Sequence, residues 1–101
     1  MVRAYAQSLV FLPTSQHRAA ADSWNNLGIS LYQAQRYAEA AKAYERAATQ
    51  LRQDPAGAER NRYIAALLFN RSLSSRQAGD SHWAQDLQSA CKLSAEFCQS
   101  P

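Results

Sequence analysis

Glycine and proline are scarce in this chain, with three of each among 101 residues. Because both interrupt helices and favour turns, their scarcity favours long helices over a protein of strands and turns. No run reaches the roughly 18 apolar residues that a membrane span needs. At the N-terminus the triplet Ala4-Tyr5-Ala6, which has the A-x-A form of a cleavage site, precedes the apolar patch, the reverse of the order in a secretory signal. We therefore expect a cytoplasmic protein with no membrane contact.

Charge of one sign is not concentrated in any part of the sequence. There are 11 basic and 8 acidic residues, a net charge of +3, and the arginines are spread from Arg3 to Arg76. Nucleic-acid binders usually gather their basic residues on one face, so no nucleic acid is expected as a partner. A hydrophobic content of 47% is enough for the core of one small domain.

Cysteine is limited to Cys91 and Cys98. If both lie in one helix, a separation of seven residues places their Cα atoms about 10 Å apart. A disulfide requires Cα atoms within roughly 7 Å, so the two cannot pair within that helix. We expect them to be small apolar core residues.

Residue groups typical of catalysis and metal binding are also missing. His17 and His82 have no cysteine or carboxylate at ligand spacing, and we expect both at the surface. Asp80 and Asp86 are better interpreted as a helix cap and a solvated side chain than as an acid–base pair. There is no glycine-rich phosphate loop and no nucleophile motif. We expect no enzymatic activity, catalytic residues, metal or cofactor.

The spacing of apolar residues predicts an all-α fold. Residues 1–14 form an N-terminal segment, predicted to be a short helix, and residues 99–101 a tail. The domain between them, 15–98, contains two helical hairpins. Their helices are predicted near 15–34, 37–52, 55–77 and 81–98. Thr14 or Ser15 can cap the first helix, Pro55 suits the start of the third, and Gly79 can end it in a left-handed conformation.

The first hairpin contains a recognisable motif. Trp24, Leu27 and Gly28 follow the pattern W-x2-L-G, and Ala40 and Tyr44 follow A-x3-F. On these residues the chain resembles the tetratricopeptide-repeat family, although it has Leu31 where that pattern prefers tyrosine. The resemblance implies that the small residues Gly28 and Ala40 lie where two helices cross closely. It also implies that Trp24, Leu27 and Leu31 fill the adjoining crevice.

The second hairpin matches the pattern less well. Ser72 takes the small crossing position, Ala84 corresponds to Ala40, and Cys91 corresponds to Ala47. If Gln35 and Gly79 are equivalent, the hairpins are offset by 44 residues rather than 34. We expect the ten extra residues, 56–65, to lengthen the third helix by nearly three turns.

Residues 69–91 of the second hairpin also resemble repeats of co-chaperones that hold acidic C-terminal tails. Asn70 matches one asparagine of that family's carboxylate clamp. Asn25 stands where the clamp has lysine and Ile29 where it has a second asparagine, and a third repeat is missing. A complete clamp is therefore not expected.

The family resemblance implies a non-catalytic adaptor that binds a peptide or partner protein in a concave groove lined by the first helix of each hairpin. Arginines near this groove favour an acidic peptide or a C-terminal carboxylate. The predicted binding residues are Asn25, Asn26, Ile29, Tyr32, Arg62, Phe69, Asn70, Leu73 and Arg76.

An alternative is a structural module that acts mainly by forming a homodimer. Repeat arrays usually have about three repeats and a polar capping helix, and here nothing is predicted to cap the last helix. Its apolar and small residues span roughly 160°, wider than an ordinary surface helix needs. These are Trp83, Ala84, Leu87, Ala90, Cys91, Ala95 and Phe97.

Overall fold

Four helices follow one another in the computed structural model, which describes residues 15–98. They are α1 (Gln16–Gln33), α2 (Tyr37–Leu51), α3 (Ala58–Ala78) and α4 (Trp83–Leu93), and a short 3-10 helix (Ala95–Phe97) comes last. Each α-helix packs against the next, so α1–α2 and α3–α4 form two antiparallel hairpins. The all-α prediction is confirmed for these residues. The predicted helix within 1–14 lies outside them.

The ends of the helices follow local chemistry. Ser15 Oγ accepts a hydrogen bond from the Arg18 N–H at 2.9 Å, which caps α1 as predicted. The same hydroxyl donates to Asp54 Oδ2 at 2.7 Å and ties the start of α1 to the loop after α2. Gln35 and Gly79 both adopt positive φ, 64° and 84°. Because each follows the first helix of a hairpin, this supports treating the two positions as equivalent.

Small residues bring the helices together in the first hairpin. A Cβ added to Gly28 would lie 2.7 Å from the ring of Tyr44, so only glycine fits beside this buried side chain. Ala40 and Ala47 are fully buried, and α2 packs against α1 on one side and α3 on the other. The close crossing predicted at Gly28 and Ala40 is confirmed. The buried face of α2 consists of Ala40, Ala43, Tyr44, Ala47, Ala48 and Leu51.

The third helix is shorter than predicted. It begins at Ala58 after Gly57, not at Pro55, and has 21 residues where α1 has 18. The predicted lengthening by nearly three turns is therefore wrong, since α3 is longer than α1 by less than one turn. The connection 52–57 takes up other inserted residues as a loop.

The fourth helix also ends earlier than predicted, at Leu93 instead of Cys98. Ser94 is extended (φ −152°, ψ 121°) and the following 3-10 turn reverses the chain. The Cα atoms of Cys91 and Cys98 come within 4.4 Å and their Sγ atoms form a disulfide. The prediction of two unpaired core cysteines is wrong because it assumed that one helix carries both.

Two residues that were expected in the core are exposed. Leu27 lies about 100° around α1 from Gly28 and is 45% exposed. Ala84, unlike its counterpart Ala40, is exposed on α4. Each lies on a helix face that no element within residues 15–98 covers. In this same part of the chain, no helix has the length and apolar character needed to cross a membrane.

Candidate functional site

The first helices of the two hairpins, α1 and α3, share one side of the molecule. Tyr63 of α3 joins them, since its hydroxyl donates to Asp22 Oδ1 of α1 at 2.5 Å. The Arg18 guanidinium lies over the Tyr63 ring, 5.1 Å from its centroid. Both α1 and α3 also pack on α2. We call the surface of α1 and α3 that faces away from α2 the open face.

Burial and the neighbouring carboxylate change the acidity of Tyr63. Burial, followed by the hydrogen bond and charge of Asp22, raises the pKa of Tyr63 to about 12, against the opposing charge of Arg18. Burial also raises the pKa of Tyr44, with a further contribution from Tyr32. The Tyr63 proton is therefore part of the link between α1 and α3.

We expect Tyr63 to titrate near pH 12, with an ordinary value of 10.0 for comparison. Between pH 10 and about 12 the folded chain keeps the Tyr63 proton, whereas the unfolded chain loses it. The contribution of Tyr63 to the free energy of unfolding therefore falls as pH rises through this range. Tyrosine Cζ chemical shifts followed by NMR resolve each side chain, and Tyr63→Phe identifies the signal. Asp22→Asn removes the carboxylate charge and should lower the pKa of Tyr63 while leaving Tyr44 unchanged. A Tyr63 signal that titrates at 10 in the folded chain contradicts the Asp22 link.

The four predicted binding residues on α1 differ in exposure. Asn26 is exposed and Ile29 is 39% exposed. Asn25 is half-buried, and its Oδ1 atom is buried with no hydrogen-bond partner. Tyr32 is half-buried and packs edge-on against Tyr37 with 5.0 Å between ring centroids. Asn26 and Ile29 are therefore the members of this set that are exposed to a ligand.

Among the five predicted residues on α3, Arg62 is exposed and Leu73 is 38% exposed. Phe69 and Asn70 are half-buried. The Arg76 guanidinium lies over the Trp83 ring, 4.7 Å from its centroid, so it contacts the start of α4. The predicted set on α3 therefore includes both exposed and half-buried side chains, with Arg76 at the edge nearest α4.

The sequence analysis did not place the residues after α4 on this surface. Glu96 Oε1 lies 2.8 Å from Arg62 Nε, and the Phe97 ring packs on Phe69 with 5.5 Å between centroids. Next to them is a cleft of about 290 Å³ lined by Arg18, Glu59, Arg62, Tyr63, Ala66, Glu96 and Phe97. The sequence signal for this arrangement is weak, and consists of Ser94, a residue type that competes with helical hydrogen bonding.

The acidic residues of the second hairpin lie in separate structural contacts. Asp80 accepts a hydrogen bond from the His82 N–H at 2.8 Å, and its hydrogen bonds to His82 lower the pKa of Asp80. Asp86 was predicted to be solvated, but only 14% of its side chain is exposed, 3.5 Å from Arg71. Burial raises the pKa of Asp86 although Arg71 opposes the shift. Residues 15–98 contain no group of three histidine, cysteine or acidic side chains suited to a metal ion.

Comparison with protein families assigns the first hairpin. Residues 21–54 match the family described as Tetratricopeptide repeat. This chain carries a tetratricopeptide repeat. The match extends from within α1 through α2 to Asp54, and includes the glycine–tyrosine contact. Searches of the curated proteins and of the solved structures found no match to the chain.

Tetratricopeptide repeats generally act as protein–protein interaction modules rather than as enzymes. Their stacked hairpins form extended concave surfaces that bind other proteins. In this chain, the first helices of the two hairpins form the open face.

Proposed function

We propose that the open face binds an extended segment of another protein. The observation that carries the proposal is the exposure of apolar residues. Among residues 15–98, three large hydrophobic side chains are prominently exposed: Leu27, Ile29 and Leu73. Two of them, Ile29 and Leu73, belong to the face predicted to bind, and exposed apolar patches of this kind mark interaction sites.

The positions of Ile29 and Leu73 along their helices support a shared site. The helices α1 and α3 run in the same direction, because each is antiparallel to α2. Measured from the Asp22–Tyr63 hydrogen bond, Ile29 is about 10 Å further along α1 and Leu73 about 15 Å further along α3, by helical rise. Both side chains therefore lie toward the same end of the open face.

Polar groups give this face a preference for peptide backbone and for acid. The exposed amide of Asn26 can both donate hydrogen bonds to and accept them from a ligand backbone. Toward the start of α1 and α3, Arg18 and Arg62 supply positive charge. The proposed ligand therefore has an apolar portion near Ile29 and Leu73 and an acidic side chain or C-terminal carboxylate near the arginines.

Binding measurements with leucine and isoleucine variants test this proposal. A probe is first selected from a library of displayed C-terminal peptides, and its affinity is then measured by isothermal titration calorimetry. We expect Ile29→Ala and Leu73→Ala each to weaken binding about tenfold, as loss of a buried aliphatic group requires. Leu27→Ala is the matched control, because Leu27 is equally exposed but lies on a different face of α1. Equal losses in all three variants, or none in any, contradict the site.

Self-association is the second candidate. It is favoured by the side of α4 that carries Leu87 and Cys91, which line a cleft of about 530 Å³. Analytical ultracentrifugation at micromolar concentration distinguishes peptide binding from self-association. A homodimer through α4 has twice the chain mass of 11.2 kDa without any peptide present. The proposed location remains the cytoplasm, where disulfides are rare and those that form are usually transient.

A further inference from the structure

The residues Ser94–Cys98, here named the strap, lie across the α4 side of α3. The Glu96 carboxylate pairs with Arg62 at 2.8 Å, and the Phe97 ring packs on Phe69 at 5.5 Å. The disulfide from Cys98 to Cys91 fixes the far end of the strap to α4. The strap therefore has a covalent attachment at both ends and two side-chain contacts between them.

The contacts of the strap are the contacts proposed for a ligand. Arg62 and Phe69 were both predicted to bind a partner, and an acidic and an aromatic side chain of the same chain occupy them. The adjoining cleft of about 290 Å³ extends the contact surface to Arg18 and Tyr63. The pair Glu96–Phe97 thus indicates which chemistry this part of the open face accepts.

We propose that the strap is an intramolecular ligand of the open face, locked by the disulfide, and that reduction of Cys91–Cys98 exposes Arg62 and Phe69 to a partner peptide with a carboxylate next to an aromatic residue. This inference rests on the proposed function, because it names a ligand class and a control for the same face.

The non-covalent contacts of the strap are weak without the lock. The side chains of Arg62 and Glu96 are 70% and 45% exposed, and ion pairs in water contribute little. Ordering the backbone of a five-residue segment opposes binding, and the disulfide offsets this by restricting the open conformations. Breaking the disulfide therefore shifts the strap toward release.

The disulfide is placed where a reductant can reach it. Cys98 is exposed and Cys91 is half-buried. The thiolate of a small-molecule thiol attacks Sγ of Cys98, forms a mixed disulfide there and expels the Cys91 thiolate, which takes up a proton. A second thiol attacks the mixed disulfide and releases Cys98. Two electrons and two protons pass to the protein, and the reductant leaves as its own disulfide.

The experiment measures strap release and ligand binding separately. An NOE between the rings of Phe69 and Phe97 reports the closed strap. The ligand probe is an acetylated peptide that copies residues 92–98, with serine in place of the final cysteine and Ser94 unchanged. It is titrated by NMR into the oxidised and the reduced chain. Cys98→Ser reproduces the open state without reductant. A peptide with glutamine for glutamate and alanine for phenylalanine is the matched control, and circular dichroism verifies the helices.

We expect the NOE in the oxidised chain and its loss in the reduced chain and in Cys98→Ser. The probe should bind both open forms at least tenfold more tightly than the oxidised chain, and the control peptide should bind none of them. An NOE that survives reduction overturns the lock. Loss of the NOE with equal probe affinity overturns the assigned ligand. In either case the binding measurements on Ile29→Ala and Leu73→Ala still decide the proposed function, because Glu96 and Phe97 of the strap contact Arg62 and Phe69 instead.

Discussion

We expect Leu67→Ala to lower the free energy of unfolding by about 3 kcal/mol, within the range for buried leucine. Leu67 is 1% exposed and belongs to the core to which all four helices contribute. Seven of the twelve buried hydrophobic residues within 15–98 are alanine, so few large side chains are available there to collapse into the cavity. The removal of three side-chain carbons is therefore expected to leave a cavity that neighbouring side chains cannot easily fill.

The same helix offers a matched control for that variant. Leu73→Ala removes the same atoms from a side chain that is 38% exposed, and we expect it to change stability by less than about 1 kcal/mol. Urea unfolding followed by far-UV circular dichroism measures both. A similar loss in the two variants contradicts the burial assigned to Leu67.

Gly28→Val is expected to destabilise the first hairpin by about 3 kcal/mol, at the upper end of the usual effect of overpacking. A Cβ at this position lies 2.7–2.9 Å from three atoms of the Tyr44 ring. That ring is 4% exposed and cannot move aside without disturbing the alanines around it. The small gain in helix propensity over glycine does not offset the displacement.

Ser30→Val introduces the same side chain on the exposed face of α1 and serves as the control for Gly28→Val. We expect it to change the free energy of unfolding by less than about 0.5 kcal/mol. Thermal melts of both variants at one protein concentration give the comparison. A Gly28→Val chain as stable as Ser30→Val shows that Tyr44 does not hold its position against α1.

The first hairpin was predictable because its signals are local. The spacing of Gly28, Ala40 and Tyr44 predicts the close crossing, and Ser15 predicts the start of α1. Leu27 was placed incorrectly because the repeat pattern assumes a neighbouring hairpin, and no described element covers that face.

The end of α4 was not predictable from spacing. Helical periodicity continues through Cys98, so an uninterrupted helix was expected. The turn at Ser94 is accompanied by contacts to Arg62 and Phe69, which are more than 20 residues away in the chain. Such long-range contacts leave no periodic signal in the sequence.

The candidate site likewise has features that local helical spacing predicts and features that depend on long-range contacts. Helical spacing was sufficient to select the outward face of α3, including Leu73. It did not reveal the Tyr63 bridge to Asp22 or the stacking of Arg76 on Trp83, because these depend on how α3 sits against α1 and α4. Side-chain direction within one helix is local information, whereas the choice of neighbour is not.

The alanine-rich face of α2 has a consequence for the thermodynamics of recognition. Alanine has no side-chain rotamers to lose, and Ala40, Ala47 and Ala48 are all fully buried between the helices. The layer between α1 and α3 therefore has little rotamer disorder to remove. A receptor ordered in advance has a smaller entropy loss on association, so most of the ordering entropy is expected to come from the incoming peptide.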